Sequence, residues 1–389
     1  MVGIPSARLG GLYALYFAIV ALSVGWFGPF FASLGFSSAQ IGIAIGVLTG
    51  SKIVAPYFWG WLGDLLPNRL RVVQVGMLGS TVAALGLFLP LDFMGLCLVL
   101  AAFGLFWNAI IAQFDTLTLA YLGEHPHRYT RIRVWGSIGF IWMMLAAGWA
   151  FTELPFSVLP AVMVFGLLLS GLLSLSLPPL PAATREAGIE GRVTDRLKTP
   201  AVWLFFVIVG INQFAHGPLN VFFTLYLQDH GHSAWVAGQL WALGVLAEVI
   251  LFFVLPHWLS RLDLRLLLSL SLVLAAGRWL GTGFAVESIA ALIALQLVHG
   301  FSFGVIHAIS IEFVRRWFPG RLSGRGMALY SGLVFGLGGS LGAFASGYLW
   351  SSIGGASTFL SMSALSAVAA FVAFYGLRNG GLEASESPR

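Results

Sequence analysis

The sequence predicts an all-α membrane protein with twelve spanning helices in two six-helix halves. Three observations carry this expectation. The 389 residues are 58% hydrophobic and only 9% charged, whereas soluble domains carry about 25% charged residues. Apolar runs long enough to cross a hydrocarbon core of about 30 Å recur twelve times. One long polar connection, 178–200, falls between the sixth and seventh runs, as a boundary between halves would.

The runs follow in order. The first, 9–33, starts after Arg8; it is too long for a signal-peptide core and has no persuasive cleavage site. Runs at 38–62, 72–90, 94–121, 133–152 and 156–176 complete the first half. The linker holds PPLP and then REAGIEGRVTDRLK. The second half has runs at 201–227, 234–257, 265–284, 287–314, 325–350 and 355–377, and the polar residues 379–389 form a tail expected to be disordered. The halves echo each other. LGFSSAQIG (34–42) aligns with HGHSAWVAG (230–238) at an offset of 196, which matches Gly35 with Gly231, Ser37 with Ser233 and Gly42 with Gly238. The same offset sets Lys52 opposite Glu248.

Charge placement predicts orientation. Every even-numbered connection carries Arg or Lys, from Arg69 and Arg71 to the group Arg315–Arg325. The odd-numbered ones carry none, only acids such as Asp92, Glu153, Asp229 and Glu287. The positive-inside rule then puts both termini and the linker in the cytoplasm, with the chain multi-pass in a cell inner membrane. The net charge of +5 is scattered through short loops and builds no nucleic-acid face. The single cysteine, Cys97, can form no intrachain disulfide, and no Cys/His spacing suits a metal. HExxH and P-loop motifs are absent, which argues against a zinc hydrolase or a nucleotide-driven pump and, with no other enzyme constellation in view, predicts a non-enzyme without a cofactor. GLVFGLGGSLG (332–342) reads as small-residue helix contact rather than a phosphate cradle.

The charges within spans are the candidate functional residues: Lys52, Asp115, Arg133, Glu248 and Arg278. Such a residue costs about 2.5–3.5 kcal/mol at the centre of an inserted helix, so its presence needs a reason. Asp115 and Arg133 each lie nine residues from Glu124, in the middle of a polar turn. Antiparallel helices would carry them to similar depth. They could pair to lock two helices together, or line a polar cavity that handles a ligand. Glu312, four residues before Arg316, reads as a local pair. The imidazoles of His216, His299 and His307 add proton-accepting capacity or are hydrogen-bonded packing residues, with His299 and His307 on roughly one helix face. Of the tryptophans within spans, Trp135 and Trp241 are candidates to stack on a ring-bearing substrate.

These residues carry a resemblance. GWLGD (60–64), followed by Arg69 and Arg71, resembles the signature loop of the major facilitator superfamily, although Leu65 replaces the usual arginine after the aspartate. Gly60, Asp64 and Arg69 would then form a gating loop. Asp115 and Arg133, in TRIRVWGSIGF, are similar to the acid and arginine with which the lactose permease group grips substrate. GQLWALGVLAEVILF (238–252), GRW (277–279) and QLVHGFSFGVIH (296–307) extend that likeness, and place Glu248, Arg278 and His299 at the group's coupling and binding positions. The group's proton-carrying carboxylate, three residues after the histidine, is Ser302 here. Across nearly the whole chain the pattern resembles the bacterial 3-phenylpropionate transporter family, which also has a basic residue at the Lys52 position.

The resemblance implies a proton symporter working by alternating access, with a small-molecule substrate, the proton and the lipid bilayer as partners. Lys52, Asp115, Arg133, Arg278, Trp135 and Trp241 would contact substrate; Glu248, Asp115, His299 and His307 would couple the proton. Near mid-span stand three fixed cations and two fixed acids; either Lys52 gives up its proton on burial, or a substrate supplies the missing negative charge, which favours a small aromatic monocarboxylate. A sugar or nucleoside proton symporter is the alternative within the class; a non-transporting receptor or scaffold on the same fold is the alternative outside it.

Overall fold

The computed structural model describes residues 4–65, 69–108, 110–179 and 193–377, without the side chains of 63–65 and 321. The central part of the expected linker and the tail from 379 lie outside the described residues. Among the described residues the chain is helical and contains no strand. A bilayer leaves no water to bond a bare backbone, and helices satisfy every amide within the segment.

Among the described residues, eleven helical stretches are long and apolar enough to cross a membrane. They are α1 (Ser6–Ser33), α2 (Ser38–Leu62), α3 (Arg69–Phe88), α4 (Phe93–Leu122), α5 (Pro126–Glu153), α6 (Phe156–Leu175), α7 (Pro200–Asp229), α8 (Ala234–Arg261), α9 (Leu264–Phe284), α10 (Ile289–Trp317) and the stretch Ser323–Gly376. The last is two helices in near-continuity. Gly354, at φ 80° and ψ 169°, interrupts it, and its arms are α11 before the break and α12 after it. A side chain at that backbone angle would be strained, so the glycine marks the joint. Twelve spanning helices result among the described residues, as the hydropathy predicted.

Polar caps begin several helices where the charged loops end. Asp92 accepts from the Gly95 amide at the start of α4, and Asp263 from the amides of Arg265 and Leu266 at the start of α9. The internal repeat has a structural counterpart. Gly35 and Gly231 both adopt positive φ, 87° and 82°. After each helix the amide three residues past the end reaches back to a matched carbonyl: Phe36 to Phe31, and His232 to Leu227. The glycine amides bond Ala32 and Gln228 in the same way. Residues 196 apart thus close α1 and α7 with the same glycine-dependent cap.

Contacts group the chain into two compact units: residues 1–185 with 220–242, and residues 186–219 with 243–389. In the first unit α1 packs along α5 and α6, α2 on α4, and α3 on α4 and α6. Residues 220–242 join it at two close approaches. A Cβ on Gly28 would run into the Val221 carbonyl oxygen, and one on Gly238 into the Met144 carbonyl oxygen. In the second unit α9 packs along the stretch Ser323–Gly376, which also covers the first half of α7. Its core is aromatic and aliphatic, built on Phe205, Leu268, Leu272, Ile309, Phe313 and Ala369.

Candidate functional site

Each unit carries its own buried polar cluster. In the first unit three helices meet at Asp115. The Tyr13 hydroxyl, from α1, donates to Asp115 Oδ1 at 2.6 Å; the Tyr129 hydroxyl, from the start of α5, donates to the same oxygen at 2.9 Å. Tyr13 also lies 3.2 Å from the Thr118 hydroxyl, one turn along α4. Bonds to an ionised acceptor are the strong ones, and two on one oxygen disperse much of its charge. Arg133 lies one turn beyond Tyr129. Its guanidinium sits over the Phe17 ring at 4.1 Å from the centroid and 5.3 Å from that of Tyr13, a cation–π arrangement. No hydrogen bond or ion pair joins Arg133 directly to Asp115 in this conformation, although they share Tyr13 as a neighbour. Beside them Tyr16 stacks on Trp107 at 4.3 Å.

Lys52, on α2, is half-buried and takes part in no hydrogen bond or ion pair among the described residues. Trp135 joins neither cluster. Two residues after Arg133 on a helix of 3.6 residues per turn, it points to the far side. It is 50% exposed, in a stripe with Ile138, Trp142 and Trp149, and its ring edge packs against Gly10. That stripe is suited to lipid. Trp241 is buried; its indole N–H donates to the Thr224 hydroxyl at 3.1 Å, and its ring meets Phe223 edge-on.

The second unit is organised on Arg278, which is 1% exposed. Each of its three nitrogens donates to a neutral acceptor: Nε to the Leu295 carbonyl at 3.2 Å, Nη1 to Ser302 Oγ at 3.2 Å and Nη2 to Gln296 Oε1 at 3.0 Å. Ser302, the position at which the permease group has a carboxylate, is thus a direct partner of this arginine. His299 Nε2 stands 3.9 Å from Glu248 Oε2. The His299 ring stacks on Phe303, and Phe303 on His307, at centroid distances of 5.5 and 5.9 Å. His307 Nδ1 reaches the Tyr330 hydroxyl at 2.9 Å. The file of three rings passes through a π-helical turn at Gly300–Val305, a widening that often accompanies functional sites. His216 Nε2, Trp279 Nε1 and His299 Nδ1 are buried without a hydrogen-bond partner among the described residues, and the His216 ring meets Trp279 at 4.8 Å. Outside these clusters, Glu312 is held by Arg316 at 2.7 Å and by Arg315 at 2.9 Å.

A family model described as the MFS_1 like family matches residues 6–361, most of the chain. The chain belongs to the MFS_1-like family. This member of it is a multi-pass membrane transporter rather than an enzyme, as its relatives are. It is 27% identical over 311 residues to a probable 3-phenylpropionic acid transporter of Escherichia coli (strain K12), covering 78% of this chain and 80% of the relative. It is 24% identical over 317 residues to a putative nucleoside transporter of the same strain, covering 76% and 73%. Among solved structures, the nucleoside transporter NupG superimposes with a TM-score of 0.84 at 19% identity, covering 96% of this chain and 99% of that one; at that identity the likeness speaks for fold. In this MFS_1-like chain the expected gating loop is only partly in view. Gly60 has open space where a Cβ would be, Arg69 is exposed at the start of α3, and the side chain of Asp64 lies outside the described residues.

Sequence reasoning missed Tyr13, Tyr129 and Gln296. Tyr129 stood in the polar turn between Asp115 and Arg133, and that position was the available signal. Tyr13 lies 102 residues from Asp115 and reads as one more aromatic of an apolar helix.

Proposed function

We propose that this protein is an inner-membrane secondary transporter that takes up a small aromatic carboxylate, such as 3-phenylpropionate, with a proton by alternating access. The observation that carries the substrate class is the state of two cations in the first unit. Arg133 and Lys52 each have no carboxylate or carbonyl acceptor among the described residues, and Arg133 rests on aromatic rings. A cation sheltered from water without an acceptor is costly, and a substrate carboxylate offers bidentate bonds while an aryl tail suits the rings. The 27% identical relative described as a probable 3-phenylpropionic acid transporter points the same way.

In this reading Glu248 carries the proton and His299, 3.9 Å away, tunes it. Arg278, with its donors occupied by neutral groups, holds the helix positions around them. A carboxylate with changing access can load a proton on one side and release it on the other. Gly60, Asp64 and Arg69 belong to the loop that gates the cycle, and both termini are cytoplasmic.

A nucleoside substrate is the second reading, favoured by the 24% identical relative described as a putative nucleoside transporter. Counterflow of labelled 3-phenylpropionate in proteoliposomes separates them, with its amide and a panel of nucleosides as competitors. The acid alone should compete well, and Lys52→Gln should weaken it without unfolding the protein. Equal competition by acid and amide removes the carboxylate reading, and competition by nucleosides alone replaces it.

A further inference from the structure

Asp115 and Arg133 share Tyr13 as a neighbour and do not pair. Two features keep them apart. The first is the pair of hydroxyls on one carboxylate oxygen, at 2.6 and 2.9 Å. The second is the seat of the guanidinium. It lies over Phe17, and its Nη1 passes close to Gly136, where a Cβ would stand 2.8 Å from that nitrogen and 2.7 Å from the Phe17 ring. What is left over is informative. Asp115 Oδ2 and the guanidinium N–H groups of Arg133 have no partner among the described residues. A transporter that relies on an arginine to catch an anion has to stop its own nearby acid from taking that arginine. Phenol hydroxyls can do this. They occupy the carboxylate with directional bonds, carry no charge of their own, and leave the cation near the acid but without a bonded counterion.

We propose that Tyr13 and Tyr129 are positioning residues: they hold Asp115 off Arg133, keep the guanidinium open to a planar oxyanion, and so set the preference for an anionic over a neutral substrate. The identity of that anion rests on the reading given above; the clamp itself does not.

The test reads Arg133 directly. Purified full-length protein in nanodiscs is treated with phenylglyoxal, which modifies accessible, unpaired guanidinium groups, and the rate at Arg133 is followed by mass spectrometry with Arg69 as internal reference. Wild type should be modified readily. Tyr13→Phe/Tyr129→Phe should be modified at least about tenfold more slowly, because the released carboxylate then pairs with the arginine; one charge-assisted contact is of that size. Adding Asp115→Asn to the double variant should restore the rate. Tyr129→Phe alone, at the helix start, should give a partial slowing in a milder background. An unreactive wild-type Arg133, an unchanged rate in the phenylalanine variants, or a slowing that Asp115→Asn fails to reverse each overturns the clamp. In transport, the double variant should raise the KM for 3-phenylpropionate about tenfold and flatten the acid-to-amide preference. If wild-type protein ignores 3-phenylpropionate altogether, the substrate reading falls, and the reactivity pattern still decides the clamp.

Discussion

Replacing Gly136 by alanine probes the arginine seat through its geometry. A Cβ there would lie 2.7 Å from the Phe17 ring and 2.8 Å from Arg133 Nη1. Carbon contacts are comfortable near 3.5–4.0 Å, so ring and guanidinium must each move by roughly 1 Å. Overpacking of this kind costs about 1–3 kcal/mol. The far end of an arginine side chain moves easily and Phe17 is half-buried, so the ring and the guanidinium resting on it should shift together and the cost should fall on binding. The KM for the anionic substrate should rise about five- to hundredfold, with expression and melting temperature close to wild type. Gly139, one turn on, is the control. A Cβ there would run into the Ala14 carbonyl oxygen, and α1 backbone cannot step aside. Gly139→Ala should therefore lose folded protein rather than affinity. The assays are radiolabelled uptake with a KM determination and fluorescence-detected thermal unfolding. A Gly136→Ala protein with wild-type KM would refute the reasoning, and so would one that unfolds like Gly139→Ala.

Asp115→Asn should abolish uptake at near-normal expression, measured by transport per unit of protein; normal transport removes the acid from function, and rescue of two misfolded single variants by the double neutralisation would make the pair structural. Glu248→Gln should lose uphill accumulation in a pH gradient yet keep exchange of labelled substrate, and retained gradient-driven accumulation would take Glu248 out of proton coupling. Gly354→Ala, at φ 80°, should destabilise the α11–α12 joint by about 1–3 kcal/mol, read as a lower melting temperature; an unchanged one would mean that the joint tolerates a side chain. Alkaline-phosphatase fusions should be inactive at Arg192 and active near Asp229, and the opposite pattern would reverse the orientation.

The helices could be read directly from hydropathy, even where the structure nearly fuses two of them. The runs 325–350 and 355–377 bracket Gly354, the point at which the helical stretch breaks. The aligned pair Gly35 and Gly231 likewise became two identical caps. Glu312 paired with Arg316 as their four-residue spacing suggested, and with Arg315 as well. All of these are local properties. Trp135 shows where local reading stops. The sequence offers it, an aromatic within a span, as a candidate to stack on a ring-bearing substrate, but two residues of helix turn it to the face opposite Arg133, and it lies in the exposed stripe.

The sequence by itself determined the membrane class, the twelve spans and the short set of charges that need an explanation. In a bilayer every segment must satisfy its own backbone, so length and polarity along the chain suffice. Only the tertiary structure decided which groups answer those charges. Asp115 took the hydroxyls of Tyr13 and Tyr129 in place of Arg133. Arg133 took the Phe17 ring. Arg278 took a serine, a glutamine and a backbone carbonyl. Those choices depend on how each helix is rotated and how closely its neighbours approach, and such distances are set between residues far apart in the chain.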